Sequence, residues 1–167
     1  MEAPVSVLET MINARLATRE DIPVLTTLYR DLEKEMTNLH PMWPLADGLA
    51  EPLEDSLERE IEAEGSLLII GSVFDYPFGF LLARVEGLLP QAGDATVGSI
   101  RLVFVEEEAR QVAVGEAMRD MAMDLLRERG ITKFDAHVLP GHRLAKNFFE
   151  AGGFSARSII MHHDDER

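Results

Sequence analysis

VFVEEEARQVAVGEAM, residues 103–118, passes without a break from a strand-like apolar run, through three acids and an arginine, into a helix. A turn of this kind leaves the first amides of the helix with few intrahelical acceptors. The helix dipole adds positive potential at the same end, so the junction suits an anion. On the spacing alone, an ordinary strand-to-helix connection is the preferred reading. Neither G-x-x-x-x-G-K-[ST] nor G-x-G-x-x-G occurs, which argues against the two common nucleotide-binding loops.

The rest of the chain bounds what the junction can belong to. With 167 residues and 46% hydrophobic composition it is long enough for one domain with a real core and too short for two ordinary ones. It contains no run of eighteen apolar residues and no charged n-region followed by an apolar segment, so neither a membrane span nor a secretory signal is expected. A cytoplasmic location follows as the expectation. Zero cysteines removes disulfides and thiolate chemistry and fits a reducing compartment. Thirty acids against 16 bases give a net charge of −14, which repels nucleic acid and anionic membranes and favours a cationic substrate. The same charge also serves solubility.

Three parts are expected: an arm over residues 1–12, a single domain over 13–162 and a polar tail over 163–167. The spacing predicts a strand at 14–17, then a helix start with Thr18, Asp21 and Pro23. Leu25, Leu28, Tyr29, Leu32 and Met36 mark one helical face. TNLHPMWPLADGLAEP reads as a loop, and Leu53, Leu57 and Ile61 as a second helix ending near Gly65. SLLIIGSVF and FGFLLARV, separated by Asp75, Tyr76 and Pro77, predict an antiparallel hairpin. A strand at 96–105 and a helix at 114–129, stopped by Gly130, come next. Phe134, Ala136 and Val138 alternate as a strand. Leu144, Ala145, Phe148 and Phe149 stripe a short helix, and a last strand is expected at 154–161.

Two stretches carry a family resemblance. VFVEEEARQVAVGEAM resembles the coenzyme A motif of the GNAT superfamily of N-acetyltransferases, in which a strand is followed by [RQ]-x-x-G-x-[GA], with Arg110 in the first place and Gly115 in the last. VLPGHRLAKNFFEAGGF is similar to the family's V-x-x-x-N-x-x-A-x-x-F-Y-x-x-x-G-F signature, and the element order matches. The resemblance implies an α/β fold, a mixed and mainly antiparallel sheet flanked by helices, with acetyl-CoA bound where the fourth and fifth strands splay apart. It implies pyrophosphate contacts from Arg110, Gln111, Val112, Ala113, Val114, Gly115, Glu116 and Ala117. Val103, Phe104 and Val105 would line the pantetheine, and His142, Ala145 and Phe149 the far wall.

The chain departs from the pattern in three places. Ala113 stands where the motif has its first glycine and Gln111 where a glycine is common; an ordinary helical or bridge conformation is expected at Ala113. His142 replaces an asparagine that contacts the cofactor, and can still donate a hydrogen bond. Phe149 falls where the family often has a tyrosine that protonates the departing thiolate. A thiol pKa near ~8.5 makes the thiolate a tolerable leaving group without that help.

The implied reaction is attack of a neutral amine on the thioester, with strand amides near Phe104 and Val105 holding the oxyanion. Glu106, Glu107 and His137 are candidates for the base, each reading first as a solvated surface residue, and none is singled out. Catalytic residues are therefore unassigned. Trp43 and His40 lie in the Pro-rich loop that in this family helps shape the acceptor pocket; the loop tryptophan fits substrate binding and core capping equally. The histidine spacings 137/142 and 162/163 are poor metal-ligand sets, and no metal is expected. The acceptor that the resemblance implies is a primary amine of a small molecule, peptide or protein. GNAT proteins are often dimers, so a homodimer is possible, though nothing in the sequence locates its interface. The rival reading is a catalytically weak or inactive GNAT-fold protein that senses an acyl-CoA or serves as an interaction module. A third is a fold kept for assembly alone.

Overall fold

The structure is a computed structural model and describes residues 11–166. Most of the expected arm, residues 1–10, lies outside the described residues; Ile12 already belongs to the first strand. Five strands form one sheet in the order β1-β2-β3-β4-β5, namely Ile12–Leu16, Ser66–Val73, Tyr76–Gly87, Thr96–Val105 and Phe134–Ala136. The first three pairings are antiparallel and the fourth, β4 with β5, is parallel. A parallel neighbour needs a crossover. Helix α4 (Val114–Glu128) supplies it, after α1 (Ile22–Leu39), α2 (Trp43–Ala46) and α3 (Leu53–Glu62), and before α5 (Arg143–Ala151).

Alternation along the strands sends side chains to two cores, one on each face of the sheet. Leu68, Ile70, Phe80 and Leu82 meet the Leu25, Leu28, Tyr29, Leu32 and Met36 stripe of α1, together with Leu53 and Leu57 of α3. On the other face Leu67, Ile69, Leu81 and Ala83 meet Val114, Met118, Ala122 and Leu126 of α4. Glycine lets α4 lie close to the sheet: a Cβ on Gly71 would stand 2.6 Å from Val114 Cγ1, and one on Gly79 3.1 Å from Met118 Cε as well as 2.5 Å from the Phe104 carbonyl oxygen of the neighbouring strand.

The ends of the helices follow from local chemistry. Asp21 accepts from the Thr18 amide at 2.8 Å and takes both Arg15 Nη1 and Nη2 at 2.7 Å, tying β1 to the 3-10 turn that leads into α1. Helix α4 stops where Gly130 adopts φ +85°, with the Ile131 and Gly130 amides returning to the Leu126 and Arg127 carbonyls.

Four expectations need correction. The α1 helix continues through Thr37, Asn38 and Leu39, and the Pro-rich loop contains a short helix, because Pro44 sits in its first turn where its missing N–H costs nothing. The hairpin turns at Phe74 and Asp75, with φ +50° and +65°, a pair of positive values that matches the right-handed twist of the flanking strands; Tyr76 and Pro77 are in β3. The strand beginning at Phe134 ends at Ala136, short of Val138. Residues 154–161 form no strand: the segment is held beside the three-residue β5 by Arg157, whose Nε and Nη2 donate to Asp135 at 2.8 and 2.6 Å, and Ile159, Ile160 and Met161 beyond it are exposed.

Gly79→Ala should lower stability by about 1–3 kcal/mol, because its Cβ meets backbone. Gly87→Ala, which opens into free space, should change it by less than about 0.5 kcal/mol. Urea unfolding of the two variants beside the parent checks the pair.

Candidate active site

Strand β4 changes its facing partway along. Ile100 points into the core beneath α4, yet Leu102 points into the core beneath α1, although residues two apart in a regular strand share a face. The cause is a β-bulge: Leu82 pairs with Leu102 while Ala83 pairs with Ile100, so Arg101 is the extra residue. Before the bulge β4 bonds β5, through Gly98 N–H to the Lys133 carbonyl (2.9 Å) and His137 N–H to the Ile100 carbonyl (3.0 Å). After it the Glu106 N–H reaches Phe78 on the β3 side at 2.8 Å. By alternation the amides of Leu102 and Phe104 also face β3, and those of Val103 and Val105 face away from it. The register with β5 covers only Gly98, Ser99 and Ile100. Beyond that point the strands have parted, and the Val103 and Val105 amides face the gap. Phe104 instead buries its ring against the α1 core.

The gap leads to the start of α4. Among the described residues, no backbone or side-chain acceptor is found for the amides of Gln111 and Ala113, and the first intrahelical bond is Ala117 N–H to the Ala113 carbonyl at 3.0 Å. Val114, Gly115 and Glu116 thus begin the helix with uncommitted N–H groups. Ala113 caps the helix with φ 63° and ψ 23°, in the left-handed region and not in the helical or bridge conformation expected. The turn must reverse there to aim successive amides along the helix axis, which is the conformation a glycine would take freely.

Arg110 spends its side chain on the protein. Nε donates to the Val105 carbonyl (2.8 Å), Nη2 to Glu35 of α1 (2.6 Å), and the guanidinium lies 5.8 Å from the Phe104 ring centroid. Arg110 therefore fixes the turn to the end of β4 and to α1. Gly115 is buried, and a Cβ there would come within 3.1 Å of Phe148 and 3.7 Å of Val105. Of the three acids, Glu107 and Glu108 are exposed and Glu106 is half-buried. Burial, with Glu108 and Asp31 nearby, pushes its carboxyl up from the ordinary range. All three border an open hollow of about 700 Å³ between α1 and the end of β4.

A second hollow, about 660 Å³, lies on the α1 side near the bulge, bordered by Tyr29, Glu33, Trp43, Asp47, Arg84 and Arg101. Trp43 is buried in the α1 core and contributes part of this wall. His40 lies outside both hollows and accepts the Met42 amide on Nδ1 at 3.2 Å. Arg101 ties the wall together, with Nη1 3.2 Å from Glu86 and Nε 3.7 Å from Asp47. Sequence reasoning missed Arg101, Asp47 and Glu86; a lone arginine in an otherwise apolar strand was the available signal.

Across the gap, His142 and Ala145 at the start of α5 are half-buried. Burial holds the His142 imidazole below its ordinary pKa, with Glu35 pulling it up and Arg110 pushing it down. Phe149 is buried, its ring 5.0 Å from Phe148 and 5.3 Å from Phe154, so it packs α5 onto the sheet and offers no proton. Arg119 clips α4 to α5 by donating to the Phe148 carbonyl (3.1 Å) and stacking on the Phe148 ring at 4.8 Å. Among the described residues no group of three histidine, aspartate or glutamate side chains is placed to hold a metal ion, and no helix is long and apolar enough to cross a membrane.

No protein-family model matches the chain. The chain is 32% identical over 107 residues to mycothiol acetyltransferase of Beutenbergia cavernae, a match covering 64% of this chain and 35% of that protein. It thus spans about a third of the length of the curated relative it matches. Among solved structures, a tetramutant of a Bacillus halodurans protein superposes with a TM-score of 0.78 at 15% identity, covering 91% of this chain and 99% of that one. An aminoglycoside acetyltransferase from an uncultured soil metagenomic sample, in complex with sisomicin, gives 0.70 at 13% identity over 94% and 97%. AAC(6')-Iy, in complex with the bisubstrate analogue CoA-S-monomethyl-acetylneamine, gives 0.70 at 16% over 92% and 97%. The chain has the fold of these acetyltransferase structures, the fold that the two motifs imply.

Two outcomes follow from this geometry. Ala113→Gly should raise stability by about 0.5–1 kcal/mol, since the left-handed penalty it removes exceeds the backbone entropy it adds; chemical denaturation checks it. His137, though exposed, is like His142 held below its ordinary pKa, by partial desolvation and then by Arg101. The unfolded chain therefore binds protons that these folded rings refuse. Their contribution is fully present above about pH 6.5 and is lost as pH falls toward the folded values. The drop in Tm from pH 7 to pH 5 should be smaller in a His137→Gln/His142→Gln double variant than in the parent.

Proposed function

We propose that the protein is an N-acetyltransferase that moves the acetyl group of acetyl-CoA to a primary amine. One observation carries the reading: β4 parts from β5 at the bulge, and the amides so released lead to the uncommitted amides at the start of α4. Those amides, with the dipole of a 15-residue helix behind them, suit the pyrophosphate. The Val103 and Val105 amides suit the pantetheine arm and, nearer the bulge, the oxyanion. The thioester supplies an activated acyl group, and the residues of the gap orient it, exclude water and hold developing negative charge. His142, Ala145 and Phe149 form the opposite wall.

The acceptor is proposed to enter the hollow beside the bulge, where Glu33 and Asp47 offer carboxylates beside Arg84 and Arg101, and Tyr29 and Trp43 offer aromatic wall. The relative is by name a mycothiol acetyltransferase and one structural neighbour an aminoglycoside acetyltransferase, which supports a small-molecule amine as the acceptor class. A cytoplasmic location and a possible homodimer belong to the same proposal.

Calorimetric titration with acetyl-CoA, followed by free-thiol release across a panel of primary amines, tests it. Saturable binding and amine-dependent thiol release are expected. Gly115→Trp, whose side chain must displace Phe148 or fill the gap, should weaken acetyl-CoA binding at least tenfold, with circular dichroism as the control for folding. Binding without thiol release for any amine would instead favour an acyl-CoA sensor.

A further inference from the structure

The parallel register of β4 and β5 sets Ile100 level with Ala136, so the next residues, Arg101 and His137, stand side by side at the point where the strands part. Phe134 and Ala136 face the α4 core, and alternation turns Asp135 and His137 to the opposite face. Arg101 borders the hollow on that face, together with Asp47. We propose that His137 is the general base of the acetyl transfer, taking the proton that the acceptor amine releases as its nitrogen bonds to the acetyl carbon. This rests on the acetyltransferase reading above.

Position separates His137 from the two glutamates. Glu106 and Glu107 follow the last residue of β4, next to the turn that leads to the uncommitted α4 amides, where the reading places phosphate. The reacting carbonyl lies at the other end of the pantetheine arm. Residues 101–105 span roughly 17 Å of extended strand, a length of the order of that arm. The carbonyl is thereby brought to the bulge and to His137.

In the step itself the amine lone pair forms the C–N bond and the carbonyl π pair moves to oxygen. Collapse of that centre breaks the C–S bond, and sulfur leaves as thiolate with the bonding pair. The amine proton passes to a ring nitrogen of His137 and then to solvent. The side chain is exposed to solvent, which gives a proton a way out, and partial desolvation by its neighbours together with Arg101 holds the ring below its ordinary pKa and so neutral near pH 7. Once protonated it faces Asp47, Glu86 and Asp135, which favour the imidazolium, and Arg101 sits between Asp47 and Glu86, keeping those carboxylates in place.

The test uses the full chain, acetyl-CoA and whichever amine of the panel gives the highest parent rate. His137→Gln should lower kcat/KM about 10²-fold or more and remove its acidic limb, while acetyl-CoA affinity stays within about twofold. Added imidazole should restore part of the rate to His137→Ala. In the parent, the His137 ring resonances should titrate at the pH of that limb. A His137→Gln variant within about threefold of the parent rate, or a limb that persists in it, overturns the proposal and leaves the acetyltransferase reading standing. A parent that releases no thiol with any amine of the panel overturns both. If His137→Gln does not fold, the match between ring titration and the parent's acidic limb decides, a mismatch counting against His137.

Discussion

One extra residue in β4 governs the site. With Arg101 inserted opposite Leu82, the strand rotates so that Leu102 and Phe104 fill the α1 core while the amides of Val103 and Val105 leave the sheet. Without the bulge the strand would present the opposite parity, and the backbone groups that border the gap would be turned toward β3. The same residue carries the guanidinium that gathers Asp47 and Glu86 beside His137. A local backbone irregularity therefore sets both the donor edge of the gap and the charged cluster at its closed end.

The remaining parts hold that edge against the start of α4. Arg110 bonds the Val105 carbonyl and Glu35, joining strand end, turn and α1 in one contact. Gly71 and Gly79 let Val114 and Met118 approach the sheet, and Gly115 lets Phe148 approach α4. Ala113 accepts a left-handed backbone at the cap, a conformation costing about 1–2 kcal/mol for a side-chain-bearing residue. Its persistence here means that the packed helix on one side and the anchored Arg110 on the other over-determine the turn.

Much of this was legible in the residues. The 3.6-residue stripe of α1 predicts five side chains that the structure buries, and the glycine after Glu128 and Arg129 stops α4 as its sequence implies. The two motifs point to the fold that the structural neighbours share. The bulge was not legible, because VGSIRLVFV is apolar enough to suit either parity and only packing against two cores selects one. The conformation of Ala113 was missed for a related reason: alanine has no turn signature, and tertiary anchoring imposes the angle. Trp43 was undecided between substrate wall and core because loop sequence carries no period; the structure buries it in the α1 core with an edge on the hollow. The expected last strand fails because alternation alone cannot supply a partner, and β5 offers only three residues.

The central claim is that main-chain donors released by the bulge and by the α4 cap together receive the coenzyme. A 15N-resolved amide titration of the protein with coenzyme A addresses those donors one by one. The account predicts saturable shifts at Val103, Val105, Ala113, Val114, Gly115 and Glu116, with Phe104, whose amide faces β3, moving far less. Saturation elsewhere on the protein while these amides stay fixed would contradict it.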